Sequence, residues 1–310
     1  MAPKLKKNKI LLLFSGGLDS KLALKVLQEQ KNLDIEMVFF KLPFIKNSTP
    51  PKIKNTKLHI IDFTKPPFLQ EYLEIVKSPK HGVGTSMNPC KDCKILMLKH
   101  AKILADKIGA ETIATGEVLG QRPMSQLKHQ LTLTEKQSKL EGKLLRPLSA
   151  KLLKPTIAEK QNIINREKLL DIQGRQRKRQ IKLAKKYKMK YPDAGGGCLL
   201  CEKDYCKKLK DLIKNTPIKE IQQEHIQLLN IGRHFRKNNK IILGKNQNEN
   251  IILEQLNKKL NQEIIIPDKI PGPTTIYEDK KDKKLTQELI KVYSKNAKLE
   301  LRKKFEKLKI

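Results

Sequence analysis

Apolar positions in the first half of the chain alternate between short unbroken runs and helical spacing. Ile10 to Phe14 form an apolar run that leads directly into the string SGGLDS, and a run of that length reads as a buried strand. From Lys21 to Gln30 the apolar residues Leu22, Leu24, Val26 and Leu27 fall at the spacing of a helix. Ile35–Phe40 and His59–Phe63 predict further buried strands, separated by the turn-rich stretch KNSTPPKIKN. Lys94–Ile108 predicts an amphipathic helix and Thr112–Thr115 the strand after it. Strands alternating with helices predict an α/β fold, a doubly wound parallel sheet with helices on both faces. Ligands of such sheets bind beyond the carboxyl ends of the strands, which is where SGGLDS falls.

The middle of the chain reads as helical and basic. Thr156 and Glu159 form a capping-box pair after Pro155, with helical spacing running on towards Arg166. GRQRKRQIKLAKKYKMKYP predicts a strongly basic helix that stops near Pro192, and Asp204–Lys214 predicts another helix beyond the glycines at 195–197. The texture then changes. Ile231–Arg236 and Lys240–Gly244 predict a hairpin turning at Asn238-Asn239. A helix over Asn248–Leu260, a strand over Glu263–Ile266, an exposed turn at PDKIPGP and a basic helical C-terminal stretch follow. No internal repeat is visible. A boundary between Thr216 and Gln227 divides the chain into residues 1–220 and a smaller α+β domain over 221–310.

Composition narrows the class. Over 310 residues, 38% hydrophobic and 32% charged content suits a globular protein rather than a disordered one. The 66 Lys and Arg against 32 acidic residues give a formal charge of +34, spread along the whole chain. A solvated lysine-rich surface is the plain explanation, yet so large an excess attracts polyanions, nucleic acid first among them. No apolar stretch is long enough to span a bilayer. MAPKLKKNKILLLF superficially resembles a signal peptide, but its apolar run ends at a glycine turn, so a cytoplasmic protein without a membrane partner is expected. Five cysteines, an odd number in a basic chain, argue against a disulfide framework and point to redox, metal or sulfur chemistry.

SGGLDS carries the most specific chemistry. Paired glycines turn the backbone tightly and leave amides open to anionic oxygens, and the following helix adds the positive end of its dipole. Ser15 and Ser20 supply hydroxyls, and Asp19 is placed to position Mg²⁺ or to orient the loop. An ordinary strand-to-helix turn with a capping serine is the bland alternative. The full string after a first strand resembles the PP-loop ATP pyrophosphatase superfamily, whose members adenylate a carbonyl or carboxyl oxygen and release pyrophosphate. That resemblance implies that Ser15, Gly16, Gly17, Asp19 and Ser20 form the pyrophosphate-binding loop for ATP.

The cysteines leave three arrangements open. Cys90 and Cys93 lie at the start of a helix, where the dipole and Lys91 and Lys94 favour a thiolate. Cys198 follows a glycine run, with Cys201 and Cys206 behind it. Cys90, Cys93 and Cys198 have the makings of a [4Fe–4S] site with one iron open to sulfide. Alternatively, Cys90 or Cys93 carries a persulfide that Cys198 resolves. A structural Zn²⁺ site built from Cys90, Cys93, Cys198 and Cys201 is the third arrangement. Cys206, on a helix, is expected to be packed.

NPCKDCK followed by ATGEVLGQRPMSQ is similar to the tRNA 4-thiouridine synthetases, which share a Gly-Glu-x-x-Gly-Gln string with a later Ser-Gln. Here these are Gly116, Glu117, Gly120, Gln121, Ser125 and Gln126. The resemblance implies that Gly116 to Gln121 line the nucleotide or base pocket. Separated cysteines of this kind also resemble those of tRNA 2-thiouridylases and cluster-dependent tRNA thiolases. The nearest likeness is to a group with GRxRKxQ (Gly174 to Gln180), GGCLL (Gly196 to Leu200), GRHFR (Gly232 to Arg236) and a Gly-Lys-Asn stretch (Gly244 to Asn246). Some 4-thiouridine synthetases carry N-terminal RNA-capturing modules and a C-terminal rhodanese domain. Here the glycine loop starts at Ser15, so sulfur is expected to arrive by a cluster or an external donor, a cysteine desulfurase or inorganic sulfide.

GRHFRKNNKIILGKNQNEN looks like the RNA-binding module of NFACT-type proteins. Arg233, His234, Arg236 and Lys237 are candidates for phosphate contacts, and Phe235 either stacks on a base or belongs to the core. Arg175, Arg177, Lys178 and Arg179 form a second cationic site for the tRNA backbone, a solvated helix face being the alternative. Taken together, these features lead to the expectation of an ATP-dependent tRNA sulfurtransferase, with 4-thiouridine as product ahead of 2-thiouridine. Its rivals are another adenylating reaction on RNA without sulfur transfer, and a non-catalytic ATP-binding RNA-binding protein.

Overall fold

The computed structural model describes residues 7–46, 48–53, 56–192, 197–268, 272–294 and 299–310. The chain divides into two compact units, Met1–Thr64 with Glu71–Cys198, and Lys65–Gln70 with Leu199–Ile310. This division falls at Cys198, upstream of the Thr216–Gln227 interval, so the helix over 203–215 packs within the second unit.

In chain order the first unit contains β1 (Asn8–Leu13), α1 (Leu18–Gln28), β2 (Leu33–Lys41), β3 (Leu58–Asp62) and α2 (Phe68–Lys77), the last beginning among the residues counted with the second unit. It continues with α3 (Cys90–Ile108), β4 (Thr112–Thr115), α4 (Lys128–Ser138), β5 (Leu144–Leu145), α5 (Ile157–Lys160) and α6 (Lys178–Lys186). The strands form one parallel sheet in the order β3-β2-β1-β4-β5, the expected doubly wound architecture. β1 is buried on both faces because helices cover both. Ile10, Leu12 and Phe14 pack with Leu18, Leu22 and Ala23 of α1 and with Ala184 of α6. Leu11 and Leu13 alternate to the other face, and α3 packs against β1 and β4.

Two helices are shorter than their patterns suggest. The capping box at Thr156 forms, with the Thr156 amide donating to Glu159 at 2.8 Å, but the helix ends at Lys160 ahead of Asn162, whose φ is +57°. The basic helix starts only at Lys178, so Gly174 to Arg177 are a loop, and it ends before Lys188 at φ +52°.

The second unit contains α7 (Lys203–Asn215), α8 (Gln223–Leu228), β6 (Arg233–Arg236), β7 (Lys240–Leu243), α9 (Gln247–Leu260), β8 (Glu263–Ile265), β9 (Thr275–Tyr277), α10 (Lys283–Tyr293) and α11 (Lys303–Glu306). Its strands form an antiparallel sheet in the order β6-β7-β9-β8, the small α+β arrangement expected. The predicted hairpin is β6 and β7; the PDKIPGP turn lies partly outside the described residues. Ile242, Leu253 and Ile276 pack on the α9 side, while Phe235, Ile241, Tyr277 and Leu289 pack on the α10 side. Among the described residues no helix is long and apolar enough to cross a membrane.

Candidate active site

The chain leaves β1 towards β2 and β3 on one side and returns to β4 and β5 on the other, so the strand order reverses between β1 and β4. Leu13 pairs with Thr115, which brings the end of β1 beside the end of β4. The crevice beyond such a reversal is where doubly wound sheets bind ligands. Two predicted strings meet there, Ser15–Ser20 and Gly116–Gln121.

Gly16 turns the loop with φ +78°, a conformation that disfavours any side chain. The Ser20 hydroxyl donates to the Gly17 carbonyl at 2.9 Å, and the Ser15 and Ser20 hydroxyls are 3.3 Å apart. Gly116 is fixed by contact: a Cβ there would lie 2.7 Å from the Ser20 amide nitrogen and 2.8 Å from the Asp19 carbonyl. Only glycine lets β4 come so close to the start of α1. Gln121 donates to Asp19 Oδ2 at 2.8 Å, so the two strings are joined directly. Asp19 Oδ1 is buried and has no hydrogen-bond partner. An orphaned carboxylate oxygen beside a backbone cradle with a helix dipole fits a metal-bound polyphosphate.

Glu117, from the same string, is buried against Arg146, whose Nε lies 3.2 Å from Oε2, and against Lys94 at 3.6 Å. Burial raises its pKa, but the charges of Lys94 and Arg146 and a bond from Thr115 outweigh it, so the carboxyl is held below its ordinary range. The pattern did not single out Arg146, because a lone arginine after an apolar pair carries no sequence signal. Ser125 and Gln126 are buried, and the Gln126 Oε1 accepts no hydrogen bond.

Cys90, Cys93 and Cys198 occupy one neighbourhood of this unit. Cys90 is exposed at the start of α3, and Asn88 Nδ2 donates to its sulfur at 3.3 Å. Cys93, one turn on, is half-buried, with Sγ 3.1 Å from the Tyr72 hydroxyl. Ile45 bridges Cys198, and the Lys46 amide donates to the Gly197 carbonyl at 2.9 Å, which ties the distant segment to the first unit. Cys93, Cys198 and Cys90 all lie close enough to Tyr72 to act on its hydroxyl, although burial is the larger cause of its raised pKa. Burial also pushes the Cys93 thiol up to about 11, despite the Tyr72 bond and the charge of Lys94. None of the five cysteines is in a disulfide, and among the described residues no three His, Cys, Asp or Glu are placed to hold a metal ion. Tyr72 had no sequence signal, sharing an amphipathic helix with the aromatic Phe68. His81 Nδ1 lies 2.7 Å from Asp92 Oδ1 beside the same helix start. Cys201 belongs to the second unit, and Cys206 is packed as expected, its thiol donating to the Leu200 carbonyl at 3.3 Å.

The cationic string over 174–180 divides in two. Arg175, Lys178 and Arg179 are exposed, with Arg179 bonded to Asp171. Arg177 turns inward and its NH2 lies 3.4 Å from Asp19 Oδ2, while the fully buried Gln180 donates to Gln121 at 2.9 Å. An open groove lined by Leu119, Gly120 and residues 173–176 adjoins these side chains.

In the second unit, the residues expected to touch RNA are occupied by their own fold. Phe235 is 1% exposed and packs on Tyr293 at 5.4 Å, so it is a core residue with no face open to a base. His234 is equally buried, its Nε2 2.8 Å from the Ile231 carbonyl, and burial holds its pKa well below the ordinary value. A neutral, enclosed imidazole makes no phosphate contact. Arg236 binds Asp211 at 2.6 Å and Glu278 at 3.2 Å, and Arg233 lies over the Tyr293 ring while donating to the Gly244 carbonyl at 3.2 Å.

Comparison with known proteins accords with the first unit. The family model described as "Thiamine biosynthesis protein (ThiI)" matches residues 6–173. A probable tRNA sulfurtransferase of Lysinibacillus sphaericus (strain C3-41) is 30% identical over 152 residues, which cover 45% of this chain and 34% of the relative. The chain thus spans about a third of that relative's length. The solved structure of a predicted subunit of a tRNA methyltransferase from Methanocaldococcus jannaschii is 17% identical, with a TM-score of 0.31 over 46% of this chain and 67% of that one. The family match takes in SGGLDS, the Cys90–Cys93 pair and the Gly116–Gln121 string, more than half of the residues, and on that ground the chain belongs to the ThiI family of PP-loop proteins.

Proposed function

We propose that this chain is an ATP-dependent tRNA sulfurtransferase, which adenylates a uridine carbonyl oxygen and replaces it with sulfur, giving 4-thiouridine. The observation that carries the reading is the junction at the strand reversal. Asp19 of one string is joined to Gln121 of the other, and its second oxygen is buried and unmatched. The loop amides and the α1 dipole would hold the triphosphate, and Mg²⁺ on Asp19 would balance its charge. The uridine oxygen attacks the α-phosphorus and pyrophosphate leaves. A sulfur nucleophile then adds to the activated carbon, and AMP departs with the former carbonyl oxygen. The ThiI family and the tRNA sulfurtransferase relative support the choice of tRNA and sulfur.

Cys90, Cys93 and Cys198 are the sulfur-handling residues of this proposal. Three thiols suit a [4Fe–4S] cluster by donor type. Their placement does not suit it, since Cys93 is engaged with Tyr72 and no three described side chains form a metal-holding group. The sulfur step is therefore derived from thiols alone. A persulfide on the exposed Cys90, charged by a cysteine desulfurase or by sulfide on an oxidised thiol, attacks the carbon through its terminal sulfur. A second cysteine then cleaves the S–S bond, releasing the thiocarbonyl and leaving a disulfide that an external thiol reduces. Arg175, Lys178 and Arg179, exposed beside the groove, are the proposed contacts to the tRNA backbone.

The test is tRNA-dependent release of AMP and pyrophosphate, with mass spectrometry of the tRNA nucleosides for the exchange of one oxygen for one sulfur. Asp19→Asn should abolish both. Loss of thiouridine alone in Cys90→Ala, Cys93→Ala and Cys198→Ala would place the cysteines after adenylation. Full activity of all three would instead leave an adenylation without sulfur transfer, and no AMP release by the wild type would leave an ATP-binding RNA-binding protein. Iron, zinc and acid-labile sulfide measured on protein purified without oxygen separate the carriers. Iron with sulfide establishes a cluster, zinc alone makes the thiols structural, and no metal supports the persulfide.

A further inference from the structure

The cationic string GRQRKRQ has two faces, and only one suits nucleic acid. Arg175, Lys178 and Arg179 are exposed. Arg177 and Gln180 point the other way, into the crevice at the strand reversal. α6 is held there by α1, the helix that follows the glycine loop. Ala184 is buried in the shared core, Lys21 donates to the Lys190 carbonyl at 2.8 Å, and Tyr187 donates to Glu29 at 2.9 Å. The head of α6 is therefore set against the loop by packing, and its inward pair cannot swing freely into solvent.

The hydrogen bonds in this crevice are incomplete in a specific way. Asp19 Oδ2 accepts from Gln121 and Arg177, and Gln121 accepts from Gln180, so the four side chains form one network. Three of its buried atoms lack partners: Asp19 Oδ1, Gln180 Oε1 and Arg177 Nε. Two of these are acceptors and one is a charged donor. A bare anion would satisfy the arginine and be repelled by the carboxylate, and a cation would do the reverse. A metal-bound polyphosphate supplies both, with oxygens for the guanidinium and a hydrated cation for the two acceptors.

We infer that Arg177 binds the triphosphate of ATP. It exchanges its ion pair with Asp19 for phosphate oxygens when Mg²⁺ takes the carboxylate, and Gln180, through Gln121, keeps the exchanging pair in register. Arg177 thereby leaves the set of tRNA contacts in which the sequence pattern had placed it. This inference rests on the reading of SGGLDS as an ATP loop.

Equilibrium binding of MgATP, AMP and tRNA to the full chain tests it, with Arg177→Gln, Arg177→Lys and Arg175→Gln beside the wild type. Arg177→Gln should weaken MgATP by roughly 10- to 100-fold, the range for loss of a charge-assisted hydrogen bond, and AMP by no more than about twofold. Arg177→Lys, which keeps the charge and loses the planar fork, should fall between. Arg175→Gln should leave MgATP unchanged and weaken tRNA. If Arg177→Gln binds MgATP like the wild type and loses tRNA as Arg175→Gln does, Arg177 is an RNA contact and the inference is overturned. If the wild type itself binds no MgATP, the ATP reading of the loop fails and takes the inference with it. Thermal melting of each variant guards against misfolding, and a Gln variant that melts early is judged by the Lys variant's ratio of MgATP to AMP affinity.

Discussion

Replacing Gly116 with alanine tests whether the two strings must touch. The added Cβ would sit 2.7 Å from the Ser20 amide nitrogen and 2.8 Å from the carbonyl carbon and oxygen of Asp19. It would thus fall about 0.7 Å short of the 3.4 Å at which ordinary contact begins. All three atoms are backbone in the first turn of α1, so no flexible side chain can absorb the overlap. Overpacking of this kind costs about 1–3 kcal/mol, and a backbone obstacle belongs at the upper end. The chemistry should suffer as well. Moving the loop by several tenths of an ångström misplaces Asp19 against the phosphates, and misplacement by 1 Å costs on the order of 100-fold. Gly17 is the control, because a Cβ there meets only Ser15 Oγ at 3.5 Å and its φ is −75°, open to any residue. Gly17→Ala should therefore change stability by less than about 0.5 kcal/mol. Urea unfolding followed by far-UV circular dichroism gives the first comparison, and tRNA-dependent pyrophosphate release gives the second. A Gly116→Ala protein as stable and as active as wild type would refute the close approach of β4 to α1.

The remaining predictions address other parts of the molecule. Glu36 is buried beside His59 at 2.5 Å and Lys9 at 3.0 Å, and these partners set its pKa to about 2 although burial pushes it up. Its folded pKa lies below the unfolded value, so its contribution of about 3 kcal/mol is complete above ~pH 5 and is lost as pH falls towards ~2. The stability gap between wild type and Glu36→Gln should close over that interval, and a gap that stays constant refutes the assignment. Phe235→Ala should destabilise the second unit by about 3–5 kcal/mol, while Phe235→Leu keeps most of the stability and all of the tRNA affinity. Loss of tRNA binding in a stable Phe235→Leu protein would restore the stacking role. In timed alkylation with peptide mapping, the exposed Cys90 and Cys201 should react first and the buried Cys206 only on unfolding. Early labelling of Cys206 would contradict the packing of α7.

How much was legible depended on whether a residue's partner was local. β1, the glycine loop and α3 could be read because an apolar run, a turn and a helical stripe are each written in consecutive residues. α4 was not read: its buried face consists of Gln130, Leu131, Thr134 and Ser138, so it has almost no apolar stripe. The three-residue β9 is too short to show alternation. Phe235 was ambiguous because strand alternation normally leaves one face to solvent. Here α9 and α10 cover opposite faces of the sheet, and both His234 and Phe235 are buried. The inward turn of Arg177 was invisible for a different reason: its partner, Asp19, is 158 residues away in sequence. A charge run reads as a solvated face until the fold shows which member points inward.

Unpartnered polar atoms in the first unit are unevenly distributed, and the distribution is itself an argument about function. Among the described residues there, the buried side-chain atoms without a hydrogen bond belong to Asp19, Glu117, Gln126, Arg177 and Gln180. All come from the glycine loop, the string after β4 or the head of α6. Each such atom costs about 1–3 kcal/mol if nothing meets it, and chance would scatter them through the unit. Lys94 stands 3.6 Å from Glu117 Oε1, so that atom has a charge nearby without a bond. Asp19 and Arg177 face one another as an ion pair, yet Asp19 Oδ1, Arg177 Nε and Gln180 Oε1 are still left without a hydrogen bond. A fold selected only for stability would pair or remove these groups. A fold that must receive a charged ligand keeps them aimed at one place, so that binding recovers in partners what folding left unmatched.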